Sequence, residues 1–360
     1  MKRAKIVFAL ILALCMVFTL CACGAKEETK APAADEAPAA DEAPAADEAP
    51  KKVIELTYAH MNTTDNTSGI YAQWFCDRLT ELTNGEIVVT IYPNNELGTI
   101  QEQAEMVATG AIDLHHSTWG GLSVLLPEIE WMDTPYLFAS VEDAVKFSDI
   151  TTSPLLQEAN EKLIETANVR VLNCIYGGAR QLTCNKPIYS PADLAGVKIR
   201  AIPSDVYVTA VEGMGAIPVA IDWADTPTAL ATGVADGQEN PPVSIFTANL
   251  QDTQKYMMDT KHIMAIGPTV MNETTYQSLS PEHQAAVDQA AYETWEKFTA
   301  SNIEAEGQYI QQLIDAGVTF ITEADGLDKA AFKASVDAKV AENYARYADR
   351  YAELAEWLGY

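Results

Sequence analysis

Apolar positions along the chain switch repeatedly between a period of two and a period near 3.6, and the switches predict the elements. Ile54-Glu55-Leu56-Thr57-Tyr58-Ala59 alternates as a strand does. Ile70, Trp74, Phe75, Leu79 and Leu82 then recur at helical spacing, between N-cap candidates at 65–68 and an Asn84-Gly85 stop. Residues 87–92 read as a strand, 101–109 as a helix closed by Gly110, and 112–116 as a third strand. Ser140-Val141-Glu142-Asp143 resembles a capping box ahead of a helix. Helix 154–167 and strand 169–176 follow. A second set repeats the order: strand 197–201, helix 204–212, strand 217–221, helix 226–232 with Pro227 in its first turn, and an extended piece at 234–239. Strand, helix, strand in succession predicts α/β architecture with mainly parallel sheets.

The length of 360 residues suits two lobes rather than one core. Ser280-Pro281-Glu282 opens a helical pattern that continues toward Ile314. A helix of about 34 residues spans about 50 Å, enough to run across both lobes. Two lobes bridged in this way imply a cleft, and clefts at such interfaces take small ligands.

The first 52 residues follow neither period. Lys2, Arg3 and Lys5 precede an apolar run at 6–20, which is shorter than the roughly 20 residues a bilayer span needs. Residues 1–22 therefore read as a secretory signal. Leu20-Cys21-Ala22-Cys23-Gly24 resembles the bacterial lipobox. That resemblance implies that Cys23 becomes the N-terminus and carries the lipid anchor, with ordinary secretory cleavage as the alternative. In residues 23–52, Ala-Pro-Ala-Ala-Asp-Glu occurs three times from Ala31 to Glu48. Proline at that spacing blocks a continuous helix and the Asp-Glu pairs repel, so the segment is expected to be a disordered acidic tether. Of the remaining cysteines, Cys174 and Cys184 are able to pair, but an odd set with Cys76 argues for buried free thiols.

Composition narrows the function. An apolar fraction of 48% with 21% charged residues fits a globular body, while a formal charge of −28 excludes a nucleic-acid partner. No Gly-x-Ser-x-Gly elbow, phosphate-cradling glycine loop or His-Glu-x-x-His is present. His115 and His116 are neighbours on a predicted strand and point to opposite faces, so they do not chelate together. No catalytic residue, cofactor or metal is expected, and the chain does not read as an enzyme.

The informative stretch is 177–241. Gly177-Gly178-Ala179-Arg180-Gln181-Leu182-Thr183 precedes Asn185-Lys186-Pro187-Ile188. Ser190-Pro191-Ala192-Asp193-Leu194-Ala195-Gly196-Val197-Lys198-Ile199-Arg200 and Gly215-Ala216-Ile217-Pro218-Val219 come next. Thr232-Gly233-Val234-Ala235-Asp236-Gly237-Gln238-Glu239-Asn240-Pro241 closes the set. Tyr58-Ala59-His60, Asn84-Gly85-Glu86-Ile87, Tyr92-Pro93-Asn94-Asn95-Glu96-Leu97-Gly98, Gly110-Ala111-Ile112-Asp113 and Thr260-Lys261-His262 agree in register. Together, over about residues 53–340, they resemble the dicarboxylate-type binding subunits of tripartite ATP-independent periplasmic (TRAP) transporters.

The resemblance implies a two-lobed periplasmic-binding-protein fold with hinge strands and a long helix spanning both lobes. Lobe I would comprise 53–177 plus 263–305, and lobe II 178–262 plus 306–360. It further implies an extracytoplasmic, lipid-anchored protein that captures a small organic acid for the membrane permease subunits of an ion-gradient-driven transporter. A sensor subunit and a binding protein for an ATP-driven importer are the alternatives. Arg200 would bind the ligand carboxylate bidentately, with help from Arg180 and Asn240. A planar guanidinium fork matches a carboxylate and sheds water more readily than lysine. Trp223, Trp119, Thr118, His60 and Asn62 would line the cleft. Around Trp223 the family often reads aromatic-Ser-Glu-Val-Tyr before Ala-Leu-Gln, whereas here Trp223-Ala224-Asp225-Thr226-Pro227 precedes Ala229-Leu230-Ala231. The missing Tyr and Gln leave the substrate untransferred. Two tryptophans without an added cation favour a monocarboxylate with an apolar or aromatic part, and a sugar acid stays open.

Loss of residues 1–22 removes three basic residues and no acids, leaving 20 basic against 51 acidic residues, a net −31. Such a body repels anions at long range, while screening confines that field to about 8 Å at physiological salt. Association with an organic anion is therefore expected to be slower at low ionic strength, the reverse of steered binding. A stopped-flow salt series reads this directly, and faster capture at low salt would contradict it.

Overall fold

The computed structural model describes residues 53–360. The signal segment, the tether and Cys23 lie outside the described residues. Strand β1 (Ile54–His60) leads into helix α1 (Thr67–Leu82), whose N-cap Asn66 accepts a hydrogen bond from Ser68 N. Strand β2 (Ile87–Tyr92) is followed by α2 (Ile100–Thr109), where Thr99 and Glu102 form a capping box. Next come β3 (Leu114–His116), the one-turn α3 (Trp119–Leu122), α4 (Val141–Ser148) capped by Ser140, and α5 (Pro154–Ala167). Strand β4 (Val169–Ala179) runs past the span predicted for it.

The second half contains β5 (Gln181–Cys184), β6 (Lys198–Ala201), α6 (Asp205–Gly213), β7 (Ile217–Ala220), α7 (Thr226–Thr232), β8 (Gly237–Asn240) and α8 (Pro242–Thr247). Strands β9 (Tyr256–Met258) and β10 (Met264–Asn272) return the chain to the first half. Helices α9 (Glu273–Ser278) and α10 (Pro281–Asp315), strand β11 (Thr319–Ile321), and helices α11 (Lys329–Asn343) and α12 (Ala348–Leu358) complete it. Among the described residues no helix is long and apolar enough to cross a membrane.

Two sheets result, ordered β2-β1-β3-β10-β4 and β11-β9-β5-β8-β6-β7. Both are mixed, which corrects the mainly parallel expectation. β1 pairs in parallel with β2 and β3, but β10 runs antiparallel to β3 and β4. In the second sheet β5 is antiparallel to β8 and β9. The cause is the chain path: β4–β5 leaves the first sheet for the second and β9–β10 comes back, so the two crossings must oppose each other. They touch where Ala179 pairs with Met264 and Arg180 N donates to the Ile263 carbonyl at 2.8 Å.

Helix α10, with 35 residues, serves both sheets. Near its middle Phe298 meets Tyr71 of α1 edge to face, and Asn302 Nδ2 donates to the Tyr176 carbonyl at 2.8 Å. Glu306 accepts from the Tyr176 hydroxyl at 2.9 Å and from Ala179 N at 3.3 Å, tying the helix to the crossing strand. Its last turns bury Leu313 among Leu230, Met257 and Val318 of the second sheet's core. After α11 packs on α6, the chain turns back: Arg350 pairs with Glu158 of α5 at 2.5 Å and Tyr351 reaches Thr134.

Gly267-Pro268, a dipeptide that ordinarily marks a turn, sits inside β10. A Cβ at Gly267 would lie 2.5 Å from His116 Cε1 and 2.9 Å from the Ser117 carbonyl oxygen. The bare backbone is what lets β10 lie against β3. Gly267→Ala is therefore expected to lower stability by about 1–3 kcal/mol through overpacking. Thermal unfolding reads this as a depressed Tm, and an unchanged Tm would contradict the close approach.

Candidate functional site

Between the sheets lies a cleft with about 830 Å³ of non-atom space, its open mouth included. Its walls come from the C-terminal ends of the strands and the loops after them. β1 leads to Met61 and Asn62, and the start of α1 supplies Asn66, Thr67 and Ser68. β3 contributes His116, Ser117 and Thr118, while the hinge contributes Ile175, Gly177 and Arg180. β6 presents Arg200, followed by Ile202 and Pro203; β7 leads to Asp222 and Trp223; β8 ends at Asn240. Asp133 and Tyr207 close the floor.

Arg180 and Arg200 are both buried here, yet their surroundings differ. Arg180 Nε and Nη2 meet Glu239 Oε2 and Oε1 at 2.5 and 2.7 Å, and Nη2 also reaches the Glu239 carbonyl at 2.6 Å. Neutral His262 donates from Nε2 to Glu239 Oε2 at 2.9 Å, and its Nδ1 accepts from the Thr260 hydroxyl at 2.9 Å. Burial pushes Glu239 upward, but the Arg180 charge and the bonds from His262 and Arg180 outweigh it and hold the carboxyl at about 2. Burial alone would lower Arg180, but Glu239 reverses the direction and keeps it firmly charged. Nη1 of Arg180 has no hydrogen-bond partner among the described residues.

Arg200 has no such counter-ion. Its Nε donates to the Ile221 carbonyl at 2.8 Å and its guanidinium lies over the Trp223 ring, 5.7 Å from the centroid. Among the described residues no carboxylate comes within ion-pairing distance, and both Nη groups lack a partner. Burial drives its pKa down to about 10, with Glu239 opposing and Arg180 adding to the fall, so it stays protonated at neutral pH. Asn240 is pinned from behind: its Nδ2 donates to Gln238 Oε1, Gln238 Nε2 to the Thr183 hydroxyl, and Thr183 to Gln254.

The structure therefore brings Arg180, Arg200, Asn240, Trp223, Thr118 and Asn62 to one cleft. His60 and Trp119 are not among its lining residues. Both are fully buried behind the wall, His60 near Tyr58 and Trp119 in the apolar core, with their ring nitrogens unpartnered. His115 and His116 do diverge: Nδ1 of one meets the Ala59 carbonyl, Nδ1 of the other the Thr269 hydroxyl. Burial holds both neutral, at about 4 and about 3.

Several lining residues escaped the sequence reading. Asp133 accepts from Gly120 N at 2.8 Å and is hydrogen-bonded to the Tyr207 hydroxyl, while burial raises it to about 6. Asn66, marked only as a helix cap, spans the cleft to the hydroxyls of Ser244 and Thr247 at 3.2 and 3.1 Å. Glu239 was visible only as a letter in a motif. Asp133, Tyr207 and Asp222 carry no local signal at all, because only the fold brings them to the site.

Cys76, Cys174 and Cys184 are free and buried. Among the described residues no group of three or more His, Cys, Asp and Glu is placed to hold a metal ion.

The Glu239 pairing generates a pH-dependent expectation. With its carboxyl at about 2 in the fold against 4.5 ordinarily, its stabilisation is complete above about pH 4.5 and is lost as pH falls toward 2. Glu239→Gln strands the Arg180 charge and is expected to cost about 3–5 kcal/mol at pH 7. Urea unfolding of both proteins should show the gap narrowing below about pH 4.5. A constant gap would place the stabilisation elsewhere.

The family model described as bacterial extracellular solute-binding protein, family 7, matches residues 58–347. The chain is 29% identical over 300 residues to the 2,3-diketo-L-gulonate-binding periplasmic protein of Escherichia coli K12, covering 83% of this chain and 89% of that one. Its fold is similar to a TRAP periplasmic solute-binding protein of Roseobacter denitrificans solved with bound L-galactonate. The TM-score is 0.77 at 29% identity, with 83% of this chain and 98% of that one covered. A TRAP periplasmic solute-binding protein of Pseudomonas putida F1 with bound D-glucuronate gives a TM-score of 0.77 at 27% identity, covering 84% and 96%.

Proposed function

The chain belongs to family 7 of the bacterial extracellular solute-binding proteins, and on that premise we propose that it captures a sugar acid for a TRAP permease. One observation carries the reading: a buried, charged Arg200 presents an empty fork into the cleft beside Asn240. A carboxylate seated there receives two charge-assisted hydrogen bonds in a low-dielectric setting. Nη1 of Arg180 and the second N–H of Asn240 are the supporting donors.

The remainder of the lining favours hydroxylated cargo. Asn62, Asn95, Ser117 and Thr118 offer donors and acceptors, while Ile100, Ile175, Ile202 and Ile266 offer apolar surface for C–H edges. The cargo named for the relatives above, galactonate, glucuronate and diketogulonate, has the same character. Trp223, which suggested an aromatic moiety, has its ring facing Arg200. Family membership also favours the TRAP carrier over an ATP-driven importer, and a solute-binding role leaves the cleft without a catalytic task.

Capture is read as hinge closure. The lobes would divide as 53–177 plus 263–305 and 178–262 plus 306–360, with the C-terminal helix docked back on the first. The division falls at Gly177-Gly178, where Gly178 has φ +110, a conformation that L side chains rarely adopt, and a Cβ would meet Pro241 at 3.1 Å. Export by residues 1–22 and tethering through acylated Cys23 rest on the lipobox pattern.

Thermal shift with L-galactonate, D-glucuronate, D-gluconate and the aromatic acid mandelate tests the reading, because a true ligand stabilises the folded state. A sugar acid is expected to give the largest rise. Arg200→Ala is expected to weaken that ligand by about a hundredfold or more, since two charge-assisted bonds of roughly 1.5–3 kcal/mol each are lost. A larger shift with mandelate, or an undiminished shift in the variant, would overturn it.

A further inference from the structure

Besides the Tyr207 phenol, which is bonded to Asp133, the ionisable groups lining the cleft are His116, Asp133, Arg180, Arg200 and Asp222. Three of them are already answered within the protein. Arg180 is matched by Glu239, His116 is held neutral by burial, and Asp133 is hydrogen-bonded by Gly120 and Tyr207. Two charged groups remain: the Nη pair of Arg200, and the Asp222 carboxylate, which has no hydrogen-bond or ion-pair partner among the described residues.

Asp222 is fixed beside the anchor by sequence. Its preceding carbonyl, that of Ile221, holds Arg200 Nε, and the ring of the following Trp223 faces the same guanidinium. The segment is itself braced, because Ile221 N donates to the Ala201 carbonyl and the Thr226 hydroxyl to the Asp222 carbonyl. Partial burial raises Asp222, Arg200 opposing, because water that would solvate the charge is thinned. Any ligand whose carboxylate occupies the Arg200 fork therefore meets a lone acceptor nearby.

We propose that Asp222 sets the charge specificity of the cleft, accepting hydrogen bonds from ligand hydroxyls and rejecting a second carboxylate. An ionised carboxylate only accepts, so it suits the O–H donors of a sugar acid. A diacid would instead bring a second acceptor-only anion into a cleft whose one unmatched cation is already engaged. Like charges brought together out of water repel strongly, and binding surfaces use that repulsion to discriminate between partners. The cleft is thus matched to hydroxylated monoanions, although the family is named for dicarboxylate binding. The inference rests on the sugar-acid reading above and sharpens it.

The test compares matched acids that differ in one group. L-galactonate and galactarate share a carbon chain, as do D-gluconate and D-glucarate; the diacid of each pair replaces a terminal CH2OH by carboxylate. Calorimetric titration of the purified protein is expected to show a monoacid bound about a hundredfold more tightly than its diacid. Asp222→Asn keeps the shape and removes the charge, and is expected to narrow that ratio at least about tenfold, with Asp222→Ser as a second variant. The net charge of the body also repels a dianion more, but wild type and variant differ there by a single unit, so the change in ratio reports the local group. An unchanged ratio in both folded variants, or a wild type that takes the diacid equally well, overturns the proposal. Binding of neither monoacid overturns the sugar-acid reading itself, a result distinct from an unchanged ratio.

Discussion

The cleft depends on two buried guanidinium groups that the fold treats unequally. Two like charges in one groove, both out of water, would destabilise any structure that left them bare. Glu239 resolves half of the problem by filling the fork of Arg180, with His262 holding the carboxylate in place. Arg200 keeps its charge with a backbone carbonyl, an indole face and the more distant carboxylates of Glu239 and Asp222 as compensation. On the proposed function, a carboxylate seated on its Nη groups would complete that compensation and so favour the closed cleft.

On the proposed closure, neutral links cross the mouth of the cleft. Asn66 of the first lobe reaches Ser244 and Thr247 of the second, and Gln101 Nε2 donates to the Pro203 carbonyl at 2.9 Å. These are neutral hydrogen bonds, each worth about 0.5–1.5 kcal/mol, and Asn66 makes its two from a buried position. The crossing strands and α10 form the opposite edge, where Glu306 clasps Tyr176 and Ala179. The return of α12 to the first lobe through Arg350 and Glu158 adds a connection that any rotation must bend or carry.

How much of this was legible in sequence varies with whether the signal is local. Helix α5 and helix α7 match their predicted spans because Pro154 and Pro227 mark first turns and periodicity does the rest. The crossings were not legible. β5 and β9 are too short to show a period, and β10 carries Gly267-Pro268, a turn signature, in its middle. Its glycine answers to the His116 ring on a strand about 150 positions away, which no window along the chain can reveal. Arg180, Arg200 and Asn240 sit in stretches whose register resembles a family, and the fold brings all three to one cleft. Asp133, Tyr207 and Asp222 were not legible, since their role arises only where loops from different strands meet.

The two tryptophans separate in the fold: Trp223 lines the cleft and Trp119 does not. Counting Trp119 and Trp223 as ligand-facing favoured an aromatic or apolar cargo. Trp119 is fully enclosed in the core. The Trp223 ring faces the Arg200 guanidinium, so its π face supports a cation. That use of an aromatic fits a bare buried charge: the ring face stabilises the guanidinium without occupying the N–H donors that the cargo needs. A carboxylate in the same place would bind Arg200 permanently and close the site to ligand. An indole therefore meets both demands on Arg200, remaining charged out of water and remaining available.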